Sequence, residues 1–160
     1  MMEGTGRIRK AEEKDIDAIL RILSQVLEVH AALRPDYFIS GTTKYTADEL
    51  REIISDSEKP VFVYVNQDDE VLGYLFAVLE HYRSHVNIIP HDTLYIDDLC
   101  VEERARGKGI ARALCTHAEQ YAREQGCYNV TLNVWTGNNA RTFYDKAGYG
   151  VMKTMMEKIL

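Results

Sequence analysis

The stretch IDDLCVEERARGKGIARAL, Ile96 to Leu114, decides the fold. It runs from two adjacent acids through an apolar strand end into a basic turn with two glycines, then into an amphipathic run. A strand that stops at Val101, followed by RGKGIA (Arg106 to Ala111) at a helix start, offers several backbone N–H groups with no intrahelical partner. Those donors suit an anion. Gly107 and Gly109 let the main chain come close to a ligand without a Cβ in the way, and the positive end of the helix dipole favours phosphate there. Arg104, Arg106, Lys108 and Arg112 add four positive charges within nine residues of an otherwise acidic chain. The spacing is neither the G-x-G-x-x-G of dinucleotide sites nor the G-x-x-x-x-G-K-[ST] of nucleoside triphosphatases. Taken alone, the turn fits another phosphate-binding arrangement or an ordinary tight turn with a solvated basic edge.

At 160 residues and 46 % hydrophobic, the chain fits one domain over residues 1–160 with a core of its own. A formal net charge of −6 argues against nucleic acid as a partner, because phosphate backbones are bound through an excess of Lys and Arg. MMEGTGRIRKAEEKD at the start holds no apolar run, and nowhere do about eighteen apolar residues follow one another. Neither a signal peptide nor a membrane span is therefore expected, and the cytoplasm is the expected location. Cys100, Cys115 and Cys127 make an odd set without a C-x-x-C pair, which suits reduced, packed thiols. His81, His85 and His91 are irregularly spaced with no accompanying cysteine or carboxylate set, so no metal is expected.

Outward from the glycine turn, the order of elements reads β-α-α-β-β-β-α-β-α-β. GRIRKA is a short strand; Ile16, Ile19, Leu20, Leu23 and Leu27 are the apolar stripe of a helix, with Asp15, Asp17, Arg21 and Gln25 on its other face. Pro35 stops that helix. Thr46 and Glu49 are spaced as a capping box for a second helix carrying Leu50, Ile53 and Ile54. PVFVYV and VLGYLFAVLEHY, separated by NQDDE, read as a hairpin, and TLYIDDLCV as the third strand of a meander. A helix over 109–125 ends at Gly126, followed by a strand YNVTLNVW, a short helix NNARTFYDKA, and YGVMKTMMEKIL as a final strand or pair of strands. The fold class expected is an α/β sandwich around a mixed, mostly antiparallel sheet, with one parallel pair flanking the helix 109–125.

These residues resemble the GNAT superfamily of acyl-CoA-dependent N-acetyltransferases. RGKGIA matches its [QR]-x-x-G-x-[GA] motif; IRKAEEKDIDAIL is similar to its first strand and helix, IDDLCV to its fourth strand, and NVWTGNNARTFYDKAGY to its closing segment. One residue, Asn139, separates Asn138 from Ala140 where the family more often has two, so Asn138 and Asn139 compete for the family asparagine's place.

The resemblance implies that acetyl-CoA, the co-substrate, lies where strands 93–101 and 128–135 splay apart. It assigns Leu99, Cys100 and Val101 to the pantetheine arm, Arg106, Gly107, Lys108, Gly109, Ile110, Ala111 and Arg112 to the phosphates, Tyr144 to the thioester sulfur, and Asn138 to the cofactor as well. Tyr144 stands where the family places the tyrosine that protonates the departing thiolate. Asp97 first and Asp98 second are candidates for taking the amine proton, and desolvation of the amine alone is the alternative. Adjacent residues of a strand point to opposite faces, so one of the two acids faces the substrate and the other does not. Cys100 lacks a basic partner and reads as a packed thiol; Trp135 is expected under the closing helix. His30, Arg34 and Tyr37 fall in the family's variable acceptor-binding segment, as does Glu28. The implied activity is acetyl transfer to a primary amine of a small molecule or a protein. The competing function is a non-catalytic acyl-CoA-binding regulatory domain, for which Tyr144 in its FYDKAGY context would be superfluous. A homodimer is as compatible with the sequence as a monomer.

Overall fold

Strands β2 (Val61–Val65) and β3 (Val71–Tyr82) form the expected antiparallel hairpin, rich in β-branched and aromatic residues. Asn66 closes it: its Oδ1 accepts from the N–H groups of Asp68 and Glu70. Strand β1 (Arg7–Lys10) pairs antiparallel with β2, β4 (His91–Val101) antiparallel with β3, and β5 (Asn129–Leu132) parallel with β4. The sheet order is β1-β2-β3-β4-β5 in this computed structural model, which describes residues 6–83 and 86–160.

Alternation along the strands builds two cores, one on each face of the sheet. Val61, Val63, Val65, Tyr74 and Phe76 pack against α1 (Ile16–Leu33) and α2 (Ala47–Ser55) through Ile16, Ile19, Ile22, Leu23 and Leu50. Phe62, Leu75, Ala77, Leu94 and Ile96 pack against α3 (Ile110–Glu124) through Ile110, Leu114, Ala118 and Ala122. Leu50 and Leu114 are completely buried, so truncating either to alanine costs about 2–5 kcal/mol. Helix α3 sits close because Gly73 of β3 has no side chain. A Cβ there would come within 3.1 Å of the Cys100 carbonyl oxygen, 3.1 Å of Ile110 Cγ2 and 3.3 Å of Leu114 Cδ1. The short α4 (Ala140–Lys146) follows β5. Among the described residues no helix is long and apolar enough to cross a membrane.

The capping box at Thr46 and Glu49 is formed in both directions, and α1 ends at Leu33, with Arg34 as its cap before Pro35. Asp15 does not lie on a solvated face as its helical position suggests. It is 3 % exposed, gripped by Arg9 at 2.7 and 2.9 Å, and its carboxylate accepts from the N–H of Glu12.

Two strand assignments are corrected. Strand β5 stops at Leu132 instead of reaching residue 135, because the chain turns away from the sheet: Asn133 Nδ2 donates to the Tyr95 hydroxyl, and the Asn138 N–H returns to the Trp135 carbonyl. Residues 149–160 form no strand. Their apolar residues come in adjacent pairs, Val151-Met152, Met155-Met156 and Ile159-Leu160, so neither face of an extended chain is consistently apolar. These side chains remain in solvent.

Candidate active site

The ladder between β4 and β5 runs from Thr93 opposite Asn129 to Ile96 opposite Leu132 and stops there. On its other edge β4 stays paired with β3 as far as Val101 opposite Gly73. The stretch 97–101 therefore has one paired edge and one open edge, which is the splay expected between these strands. It leads directly into the glycine turn.

A bulge sits at the first open position. Phe76 is opposite Asp98 and Ala77 opposite Ile96, so Asp97 is the extra residue. The inserted residue resets the alternation, and Asp97 and Asp98 do not diverge. Both reach toward the α1/α2 face. Asp97 Oδ2 accepts from Lys44 Nζ at 2.8 Å and from the Tyr45 hydroxyl at 3.0 Å, while Asp98 Oδ2 accepts from the Tyr74 hydroxyl at 3.2 Å. Tyr45 and Tyr74 in turn pack on the Phe76 ring, at centroid distances of 5.8 and 5.0 Å. Ile96, Leu99 and Val101 face the α3 core instead.

Burial lifts the Asp98 carboxyl to about 6, against the opposing pull of Lys44 and the hydrogen bond from Tyr74. Burial also pushes the Tyr144 phenol well above its ordinary value, and the neighbouring Cys115, Asp98 and Cys100 push it the same way. Tyr144 lies on α4 with its ring edge-on to Phe143 and to Tyr149, whose hydroxyl donates to Glu119. The Cys100 and Cys115 thiols are raised by burial to about 11 and about 12, so both stay neutral as packed thiols; Cys127 is only partly buried.

In the turn, Gly107 and Gly109 have φ of 79° and 81°, and a Cβ at either would meet open space. Their left-handed backbone, not crowding, selects glycine. The four basic side chains separate. Arg104 is drawn off to Glu70 and Glu102. Arg106 Nε donates to the Val101 carbonyl at 3.2 Å, tying the turn to the strand end. Arg112 reaches the Lys146 carbonyl at 3.5 Å, and Lys108 lies exposed between the glycines. Ile110 is buried beneath the turn, with Ala111 half-buried beside it. Asn138 Oδ1 accepts from the Ala140 N–H and so starts α4, with Asn139 next to it at the helix boundary.

His30, Arg34 and Tyr37 are brought together, with Phe38 and Trp135 added. Phe38 lies 5.3 Å from His30 and 5.3 Å from Trp135, and Tyr37 lies 5.3 Å from Trp135. The Arg34 guanidinium stands over both Tyr37 and Trp135 and is held by Asp36 and Glu157. Trp135 thus lines this aromatic wall, 37 % exposed, instead of packing under α4. Burial, then the charge of Lys44, lower the His30 pKa. Glu28 is turned to Ser40 and the Gly41 N–H. Lys44, Tyr45, Tyr74 and Phe38 carry no motif, and only the bulge brings three of them to the two acids. His81 bridges Glu58 and Asp92, His91 stacks on Tyr82, and His85 lies outside the described residues. Among the described residues no group of three or more His, Cys, Asp or Glu could hold a metal ion.

A splayed strand pair, a glycine turn at a helix start and a phenol on the following short helix are the arrangement that the GNAT resemblance implies. Residues 26–149 match the Acetyltransferase (GNAT) family, and the chain belongs to it. It is similar to the peptidyl-lysine N-acetyltransferase YjaB of Salmonella typhimurium, 32 % identical over 106 residues, covering 64 % of this chain and 60 % of that protein. It is also similar to a probable glucosamine 6-phosphate N-acetyltransferase of Drosophila melanogaster, 25 % identical over 89 % of this chain and 60 % of that one. The matches thus span less than two thirds of these two relatives. Among solved structures, a mutant BH1408 protein of Bacillus halodurans superposes with a TM-score of 0.92 at 28 % identity, over 96 % of this chain and 99 % of the other.

Proposed function

We propose that residues 1–160 act as one N-acetyltransferase domain, moving an acetyl group from acetyl-CoA to a primary amine of a small molecule or a protein. One observation carries the reading: the open edge of β4 begins at the bulge holding Asp97 and Asp98 and ends at the glycine turn. Such an edge suits the donor. Backbone groups of Leu99 to Val101 can pair with an amide-rich arm as another strand would. The amides of Arg106 to Ala111 at the start of α3 suit a pyrophosphate, with open space where side chains at Gly107 and Gly109 would project. Lys108 and Arg112 add charge there, while Arg106 chiefly holds the turn to Val101. When bound, acetyl-CoA supplies the activated acyl carbon.

The chain's own part is two proton movements. Asp98, with its carboxyl near 6, is ionised at neutral pH and takes the proton an amine must lose to become a nucleophile. Tyr144 keeps its proton at that pH and gives it to the leaving thiolate. Asp97 is engaged by Lys44 and Tyr45 and is better placed to hold a cation than to accept a proton. This reverses the order of the two acids suggested by the sequence. The named relatives act on peptidyl lysine and glucosamine 6-phosphate, and another on an aminoglycoside. The test is acetyl-CoA consumption with a lysine peptide, glucosamine 6-phosphate, kanamycin and a diamine. Turnover of at least one is expected; none, over the whole panel, contradicts the reading.

A further inference from the structure

Asp97 is the first residue of β4 beyond its last rung with β5, and its carboxylate already holds a primary ammonium. Lys44 Nζ arrives from the segment between α1 and α2, 42 % exposed, and lies 2.8 Å from Asp97 Oδ2. Because of the bulge, Asp98 is on the same face, and the Lys44 charge acts on it. Among the described ion pairs, no other ammonium reaches either acid. The acetyltransferase reading requires a primary amine beside a carboxylate at the point where the donor strand opens. Lys44 meets that requirement from within the chain.

We propose that Lys44 is an acetyl acceptor of its own active site, modified in cis when no external amine occupies the acceptor side. The inference rests on the acetyltransferase reading. In the step, a bond forms between Lys44 Nζ and the acyl carbon while the thioester C–S bond breaks. Of the two protons that the ammonium loses on becoming an amide, one passes to the Asp98 carboxylate. The other balances the proton that Tyr144 gives to the thiolate, so the products are the amide and CoA thiol. Tethering raises the local concentration of the amine. Burial works against the Lys44 charge, but Asp97 outweighs it and holds the proton on. Transfer is therefore slow, one event per chain. Its consequence is self-silencing: acetyl-Lys44 is neutral, Asp97 loses its partner, and Asp98 loses the cation that favours its ionised form.

The test is incubation of the full chain with isotope-labelled acetyl-CoA, followed by peptide mass spectrometry. A single label at Lys44 is expected, appearing at a rate per chain that does not change with protein concentration. Tyr144→Phe should slow it by about 10²-fold or more, matching the loss of a general acid. Lys44→Arg, which keeps a cation on Asp97, should take no label there and still gain thermal stability from CoA. Label spread over exposed lysines, equally fast in Tyr144→Phe, would mean chemical acetylation and overturn the proposal, as would a rate rising with protein concentration. If an amine of the panel is acetylated while Lys44 stays unlabelled, the inference falls and the acetyltransferase reading stands. If neither is acetylated and CoA gives no thermal shift, both fall.

Discussion

Burial acts on Asp98 and Tyr144 in the same direction, which suits the two roles proposed for them: it makes the carboxylate a stronger proton acceptor and keeps the phenol protonated. Tyr144→Phe preserves the ring contacts with Phe143 and Tyr149 and removes only the hydroxyl. The expected result is a kcat lowered by about 10²- to 10⁴-fold with CoA binding retained. Weaker CoA binding with kcat unchanged would make Tyr144 a packing residue. Asp98→Asn separates stability from activity. The folded carboxyl titrates near 6, above its ordinary 3.8, so its contribution to stability is full below the lower value and is lost as pH rises through the higher one. At about pH 8 the buried charge is a cost of at most about 3 kcal/mol, which asparagine removes while still accepting from Tyr74. Thermal melts should show Asp98→Asn more stable than the parent at about pH 8 and no more stable at about pH 4. The parent's kcat/KM should fall as pH drops through about 6, and this limb should vanish in the variant.

The elements differ in how far they can be read before folding. The hairpin, the capping box at Thr46 and the helix after Gly109 depend on neighbours in sequence, and their patterns are visible there. The bulge at Asp97 depends on how β3 and β4 align over ten or more residues, and nothing in IDDLCV marks it. Strict alternation consequently misdirects one of the two acids. The end of β5 and the unpaired residues 149–160 are likewise set by which partner is within reach, not by local propensity. Two predictions belong to this scale. Gly73→Ala should destabilise the fold by about 1–3 kcal/mol in denaturant melts, since its Cβ would press on the backbone of Cys100 and on α3. A neutral effect would mean that α3 moves away without cost. Arg106→Ala should weaken CoA and pantetheine alike, because its guanidinium holds the Val101 carbonyl at the strand end. A loss confined to CoA, measured by calorimetry, would assign Arg106 to the phosphates instead.

At the level of the whole molecule, the proposed donor side is contiguous and the proposed acceptor side is not. Residues 96–112 carry the open edge and the turn in one run, which is why the half of the site proposed for the donor can be read along the sequence. The acceptor side gathers Lys44 and Tyr45 from before α2, Tyr74 from β3 and Trp135 from beyond β5, and only the folded chain brings these to Asp97, Asp98 and Tyr37. Donor binding is therefore the claim on which the rest depends, and thermal denaturation with and without CoA tests it most directly. A ligand that binds only the folded state at about a hundred times its Kd adds about 2.7 kcal/mol, which for a chain of this length is a rise of roughly 5–10 °C in Tm. The wild-type chain should show that rise, and Gly109→Glu, once circular dichroism shows it folded, should show none, because its carboxylate projects into the space beside the turn amides. A wild-type Tm unchanged at about millimolar CoA, where a site of micromolar to 10 µM affinity would be filled, would contradict the account.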